Sequence, residues 1–323
     1  MKYFSSQSCE LCPHYCNLSP GVKGLCKVRC GQEEIPFYGF ITALAEDPIE
    51  KKPLYHYRPG TSILSVGFTG CNLRCPFCQN WRISQNTSVP GHFINPPELI
   101  NKAKTSLQIA YTYSEPLVHI EYLLDCMTEA RKQGLANVLV TNGCINPKAA
   151  EELLSLTDAA NIDLKCFSEK SYKNILGGDL KTVLNFIKTA FEAKVHVELT
   201  TLIVPDFNDN IDELDNCIEF IASLKCEKFS VPWHLSSYHP DWKWQARPTS
   251  KDFIIETAER ARQSLDYVYT GNIPGEVNNT YCLYCNNILV SRRAYNIDTS
   301  GLSLKEGQYS CAFCSKEAPF RFI

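Results

Sequence analysis

Residues 70–81 read GCNLRCPFCQNW and place Cys71, Cys75 and Cys78 at C-x3-C-x2-C spacing. Thiolates this close on one short stretch are ligands for a metal ion or an iron–sulfur cluster. Three protein ligands leave one coordination position open, which suits a reactive centre better than a closed structural one. The alternative is a zinc knuckle that borrows a distant ligand such as His92. Near the other end, Cys282, Cys285, Cys311 and Cys314 form two C-x2-C knuckles 25 residues apart, the pattern of a zinc-ribbon or rubredoxin-like site for zinc or iron. At the start, Cys9, Cys12 and Cys16 stand at C-x2-C-x3-C spacing and Cys26 follows after nine residues. Those four can hold either zinc or an iron–sulfur cluster, and Cys30 is surplus to them.

The elements that must position these residues alternate. SILSVGF (62–68), LQIAYTY (107–113), NVLVTN (137–142), AANIDLK (159–165), VHVELTTLIV (195–204), KFSVPW (228–233) and YVYT (267–270) read as short apolar strands. Between them, segments such as 116–134, 179–194 and 210–225 carry apolar residues at helical spacing. Repeated strand–helix units imply an α/β fold, here a partial (β/α) barrel with small cysteine-rich modules at both ends. The expected divisions are an N-terminal module (1–35), a connecting segment (36–60), the barrel (61–275) and a C-terminal ribbon (276–323). Barrels of this kind build their sites at the C-terminal ends of the strands. The Cys71–Cys78 stretch begins just after the first strand, in that position.

Composition narrows the function class. Seventeen cysteines in 323 residues cannot all pair, and no apolar signal-like stretch opens the sequence, so metal ligation explains them better than disulfides. Cys126, Cys144, Cys166, Cys217 and Cys226 are scattered and read as buried apolar thiols. The net charge of −3 and the absence of a Lys/Arg cluster argue against nucleic acid as partner. No run of 18 apolar residues is present, so the expectation is a cytoplasmic protein without a membrane partner. A multi-zinc nucleic-acid-binding protein is the competing class that the two terminal modules suggest.

CNLRCPFC, with Phe77 directly before its last cysteine, resembles the signature of radical S-adenosylmethionine (SAM) enzymes. YGFITALAEDPIEKKPLYHYRPG, AYTYSEP, VTNG, NIDLK, VELTTLIVPDFND, PWHLSSYHPDW and VYTGNIPG follow in the order of the AmmeMemoRadiSam family, which is related to the pyruvate formate-lyase activating enzyme. The resemblance covers essentially the whole chain. It implies a [4Fe–4S] cluster on Cys71, Cys75 and Cys78 whose fourth iron is chelated by SAM. It also implies reductive SAM cleavage, hydrogen abstraction from a substrate, and a flavodoxin or ferredoxin as electron donor. Ammecr-type and Memo-like proteins become expected associates, and activation of a glycyl-radical enzyme is the alternative within the class.

Residue roles follow from the same resemblance. Glu115 in YTYSEP corresponds to a carboxylate that receives the SAM ammonium, although Ser114 stands where relatives often have Asn. A Glu there also complements the dipole of a helix starting at Pro116. Asp163 and Lys165 correspond to a pair around the SAM carboxylate, or they form a structural ion pair. Relatives often have Asp before TNG; Val140 occupies that place here, while Thr141 and Asn142 remain. Strand alternation puts Asn161 with Asp163 and Lys165 on one face, and His196 with Glu198 and Thr200 on another barrel-facing edge. Such inward polar groups need partners, which a bound SAM would supply to Glu198 and Thr200. Trp233, His234, Tyr238, His239 and Trp242 crowd one loop, making His234 and Tyr238 candidate catalytic residues or part of an aromatic packed loop.

Overall fold

The computed structural model describes residues 1–31, 35–224, 229–275, 277–305 and 307–321. Its centre is an eight-stranded sheet of β1 (Ala43–Pro48), β2 (Ser62–Gly67), β3 (Gln108–Thr112), β4 (Ala136–Thr141), β5 (Ala159–Asp163), β6 (His196–Ile203), β7 (Trp233–Ser237) and β8 (Val268–Gly271). The strands neighbour one another in chain order; β2 to β8 pair in parallel and β1 runs antiparallel along β2. Parallel neighbours need a crossover, and sequential order lays successive crossovers on the same side of the sheet. The result is the expected α/β partial barrel: β1 and β8 remain as edges instead of closing on each other.

The crossover helices are α1 (Pro96–Lys102), α2 (Ile120–Lys132), α3 (Pro147–Leu154), α4 (Leu180–Glu192), α5 (Ile211–Ser223) and α6 (Lys251–Ala261). Local chemistry sets their starts. Asn95, Asp179, Asn210 and Ser250 each accept a backbone N–H three residues ahead, satisfying a donor that the first turn leaves open. On α2, Ile120, Leu123, Leu124, Met127 and Ala130 are buried, the three-and-four spacing visible in the sequence. Cys126, Cys144, Cys166 and Cys217 are buried as expected; Cys226 lies outside the described residues.

Two elements differ from the sequence reading. The segment 36–60, a connector by its sequence pattern, contains β1. Its alternation is masked by charge: Glu46 and Asp47 sit mid-strand, where Asp47 accepts from Lys52 (2.8 Å) and Tyr113 (2.6 Å). The seventh strand spans Trp233–Ser237 and not 228–233, and Lys228 itself lies outside the described residues. Apolarity picked out Phe229, Val231 and Trp233, but the hydrogen-bonded register with β6 begins only at Trp233 opposite Leu199.

The C-terminal part folds as two small antiparallel sheets, β9 (Thr280–Tyr281), β10 (Ile288–Arg293) and β11 (Asn296–Asp298), then β12 (Leu302–Lys305), β13 (Gln308–Cys311) and β14 (Glu317–Arg321). It has its own apolar cluster of Leu289, Val290, Ala318 and Phe320 around the cysteines. No helix of the described residues is long and apolar enough to cross a membrane.

Candidate active site at the C-terminal ends of the strands

Cys71, Cys75 and Cys78 occupy the loop after β2 and line a pocket of about 250 Å³ with Glu115, Asn142, Asp163, Lys165 and Thr200. The loop is fixed from several sides. Leu73 N–H donates to Cys71 Sγ (3.3 Å), Asn72 Nδ2 donates to the Cys144 carbonyl (2.7 Å), and Asn142 Nδ2 donates to Asn72 Oδ1 (3.0 Å). Burial pushes the Cys75 thiol up to about 12 and the Cys71 thiol well above its ordinary value. Thiolates buried in this way need added positive charge, which iron bound at the three sulfurs would supply. Three convergent thiols beside an open space fit a site-differentiated iron–sulfur cluster.

Glu115 is buried at the mouth of β3. Its Oε1 accepts from Thr141 Oγ1 (2.6 Å) and Leu117 N–H (3.1 Å), and its Oε2 from Asn142 N–H (2.9 Å). Burial raises its carboxyl, these three donors pull it back, and the balance stands at about 7. The helix-capping role and a position on the pocket thus coexist in one side chain: a carboxylate accepts about four hydrogen bonds, so Oε2 retains room for a donor in the pocket. Thr141 orients Glu115 without lining the pocket itself.

Asp163 and Lys165 form an ion pair at 2.7 Å on the opposite wall. Burial pushes the Lys165 ammonium down, but the adjacent Asp163 carboxylate outweighs it and keeps the group protonated. Phe77 is buried under Phe207 and Trp244, with ring centroids 4.8 and 6.3 Å away. His92 is exposed on a short pairing with Ile41, apart from the pocket.

Two expectations, for Glu198 and Tyr238, are corrected by depth. Glu198 does not line the pocket; it lies fully buried beneath it. Its two oxygens accept from His56 N–H (2.7 Å), Tyr55 N–H (3.0 Å), His234 Nε2 (2.7 Å) and His196 Nε2 (2.9 Å), which fills its capacity. Thr200, two residues further along β6, stands about 6–7 Å higher and reaches the pocket. Tyr238 is buried and donates to the Trp244 carbonyl at 2.5 Å, so it packs the loop instead of facing a ligand. His234 lines not this pocket but a larger one beside it.

That second cavity, about 600 Å³, shares Tyr113, Ser236 and Asn272 with the cysteine pocket. Its walls are charged: Asp47, Glu50, Lys51 and Lys52 from the segment around β1, and Arg292 from β10. The first four lie in the family-like stretch 38–60 but were given no role there, because a charged stretch reads as solvated surface until the fold turns it inward. Asn272 was within reach, since it follows the last strand in VYTGNIPG.

At the C-terminus, the four cysteine Sγ atoms lie within 4.8 Å of one another. Four thiolates at that separation suit one tetrahedral ion; the donor set does not by itself name the metal.

A family model of the radical SAM superfamily matches residues 65–221. A protein of Methanocaldococcus jannaschii, named only as uncharacterized, is 38% identical over 96% of this chain and 94% of its own. Residues 65–221 are a radical SAM superfamily domain. The pyruvate formate-lyase-activating enzyme of Staphylococcus aureus is 28% identical over 68% of this chain and 94% of the enzyme. SuiB of Streptococcus suis bound to S-adenosylmethionine superposes with a TM-score of 0.51 at 12% identity, over 64% of this chain and 51% of SuiB, a likeness of fold. Radical SAM membership makes this chain an enzyme and implies a [4Fe–4S] cluster and SAM as its working groups.

Proposed function

We propose that this radical SAM protein binds SAM beside the Cys71–Cys75–Cys78 loop and takes a hydrogen atom from a polar, metabolite-sized substrate held in the adjoining cavity. The observation that carries the reading is the shared pocket: three thiols, Glu115 and the Asp163–Lys165 pair face one space that opens onto a second. When bound, the reduced cluster supplies the electron that splits SAM into methionine and a 5′-deoxyadenosyl radical.

Each residue then has a task. Cys71, Cys75 and Cys78 would hold the cluster and leave it one position for SAM. Glu115 Oε2 receives the ammonium, a charge-assisted contact that is strong in a dry site. Lys165, already neutralised in part by Asp163, retains N–H donors for the SAM carboxylate. Asn142 and Thr200 offer polar groups to the remainder of the cofactor, and Phe77 with its aromatic cover excludes water from the cluster side. Tyr113, Ser236 and Asn272 line the passage to the larger cavity. That cavity lies within the size range of small-molecule sites, and its five charged groups favour a polar ligand.

A second reading, activation of a glycyl-radical enzyme, is favoured by the likeness to the Staphylococcus aureus activating enzyme. The order of motifs supports an AmmeMemoRadiSam-type protein working in the cytoplasm with a flavodoxin or ferredoxin donor and with Ammecr-type and Memo-like proteins. The test is anaerobic incubation of reduced, iron-loaded protein with SAM, measuring 5′-deoxyadenosine. Cys75→Ala abolishes the product and Cys126→Ala keeps it; full production by Cys75→Ala refutes the assignment. Deuterium transfer into 5′-deoxyadenosine from labelled metabolites, or from a labelled glycyl-radical protein, separates the two substrate readings.

A further inference from the structure

The three cysteine groups of this chain differ in how tightly their sulfurs converge. In the C-terminal ribbon, Cys282 and Cys314 Sγ are 3.7 Å apart and Cys285 and Cys311 Sγ 3.6 Å. Metal–sulfur bonds of about 2.3 Å in a tetrahedron place sulfurs close to 3.8 Å apart, so this is the spacing of one ion. Cys71, Cys75 and Cys78 share a pocket, yet among the described residues only the ribbon cysteines converge within 4.8 Å. A cluster spreads its ligands, because each thiolate binds a different iron.

The N-terminal thiols follow the open pattern. Cys9, Cys12 and Cys26 are buried, and each of Cys12 and Cys26 lies within electrostatic range of Cys9, as Cys12 does of Cys26. Cys16 joins them from the same turn: its carbonyl accepts Cys9 N–H (2.9 Å) and its Sγ accepts Leu25 N–H (3.4 Å). No three of these thiols converge within the 4.8 Å that the single-ion ribbon shows. None of them is in a disulfide.

Backbone donors supply a second indication. The N–H of His14 is turned toward Cys12, and those of Val28 and Arg29 toward Cys26. The same geometry, an N–H two residues on aimed at a thiol, occurs at Cys71 with Leu73 (3.3 Å) and at Cys311 with Phe313 (3.4 Å). Amide donors aimed at sulfur are common to the cluster loop and the single-ion ribbon, so they mark these thiols as metal ligands, while the spacing of the sulfurs separates the two kinds of site.

We propose that Cys9, Cys12, Cys16 and Cys26 hold a second iron–sulfur cluster and not zinc. The module that carries it is pressed against the first βα loop. His14 Nε2 bonds the Asn72 carbonyl at 2.7 Å, and a Cβ on Gly70 would meet the Cys26 carbonyl at 2.5 Å. Only glycine at position 70, with φ of +83°, permits that approach directly before Cys71.

Metal analysis of full-length, anaerobically purified protein tests this. The wild type should carry about eight irons with matching labile sulfide, and about one tightly held divalent ion in the ribbon. Cys71→Ala/Cys75→Ala/Cys78→Ala should halve the iron and keep broad absorbance near ~400 nm. Cys12→Ala/Cys26→Ala should halve it from the other side. Wild-type protein with about four irons and about two zinc ions overturns the proposal, as does a triple variant without iron. Failure of the first-loop assignment would look different, with iron lost only from the Cys12→Ala/Cys26→Ala variant.

Discussion

Arg292 Nη2 donates to the carbonyl of Tyr55, 237 residues earlier in the chain, at 2.6 Å. Its Nη1 donates to Thr280 Oγ1 (2.7 Å), and the guanidinium lies 4.4 Å from the Tyr55 ring centroid. A side chain of the C-terminal ribbon is thereby built into the wall of the larger cavity, with 2% of its surface exposed. Under the proposed function the ribbon is part of the substrate side, and a metal on its four cysteines would hold that cavity wall in place.

Arg292→Leu should lower stability by about 1.5–3 kcal/mol, because buried carbonyl and hydroxyl partners lose a charged donor. Cys285→Ser should release the ribbon's metal and lower the melting temperature. Neither change touches the Cys71 loop, so iron content and substrate-free SAM cleavage should stay within a factor of about two of wild type. Loss of all iron in Cys285→Ser would show that the ribbon and the cluster loop are not energetically separate.

Glu115→Gln should reduce SAM affinity by roughly tenfold to a hundredfold, since a hydrogen bond to a charged group contributes about 1.5–3 kcal/mol. The sign of the pH dependence follows from its carboxyl standing at about 7. The SAM ammonium prefers the ionised form, so wild-type affinity should rise as pH passes upward through 7, while Glu115→Gln should be flat there. SAM titrations at three pH values read both effects. Unchanged affinity with a lowered melting point would leave only the helix-capping role.

Glu198→Gln gives the opposite pattern. Glu198 accepts from two backbone N–H groups and two histidines and does not reach the cysteine pocket. An amide in its place turns a donor toward donors, which should cost about 1–3 kcal/mol of stability for each acceptor lost. SAM affinity, measured on the folded fraction, should be unchanged. A large affinity loss without a change in melting point would return Glu198 to the cofactor site.

His56 predicts acid lability of the ribbon contact. Its Nδ1 faces the Pro319 carbonyl (2.9 Å), an acceptor only, so Nδ1 carries the proton and Nε2 accepts from Tyr269 Oη (2.6 Å). Burial pushes the ring down to about 3, and His119 shifts the same way to about 4. The unfolded chain takes up these protons below about 6.5 and the folded chain does not, so stability should fall as pH drops from 6.5 toward 3. His56→Gln should be less stable at pH 7 but lose less on acidification. An unchanged pH slope in that variant's denaturation midpoints would clear His56 of the effect.

The sequence alone determined whatever depends on short separations along the chain. Ligands at Cys71, Cys75 and Cys78 fit one loop because the spacing of thiols within a few residues is set by backbone geometry. Glu115 was marked by its place between a strand and a helix-starting Pro116, and α2 by its three-and-four apolar repeat. Tertiary structure decided depth and distance. Alternation put His196, Glu198 and Thr200 on one face of β6, yet only the packing of Tyr55 and His56 under the barrel showed that Glu198 is spent on backbone donors and that Thr200 alone rises to the pocket. The cavity wall joins Lys52 to Arg292 across most of the chain, and β1 hides its strand character behind an Asp47 whose partners are Lys52 and Tyr113. Charged residues carry no periodic mark of burial, so their inward placement is settled only when the partners that neutralise them are folded alongside.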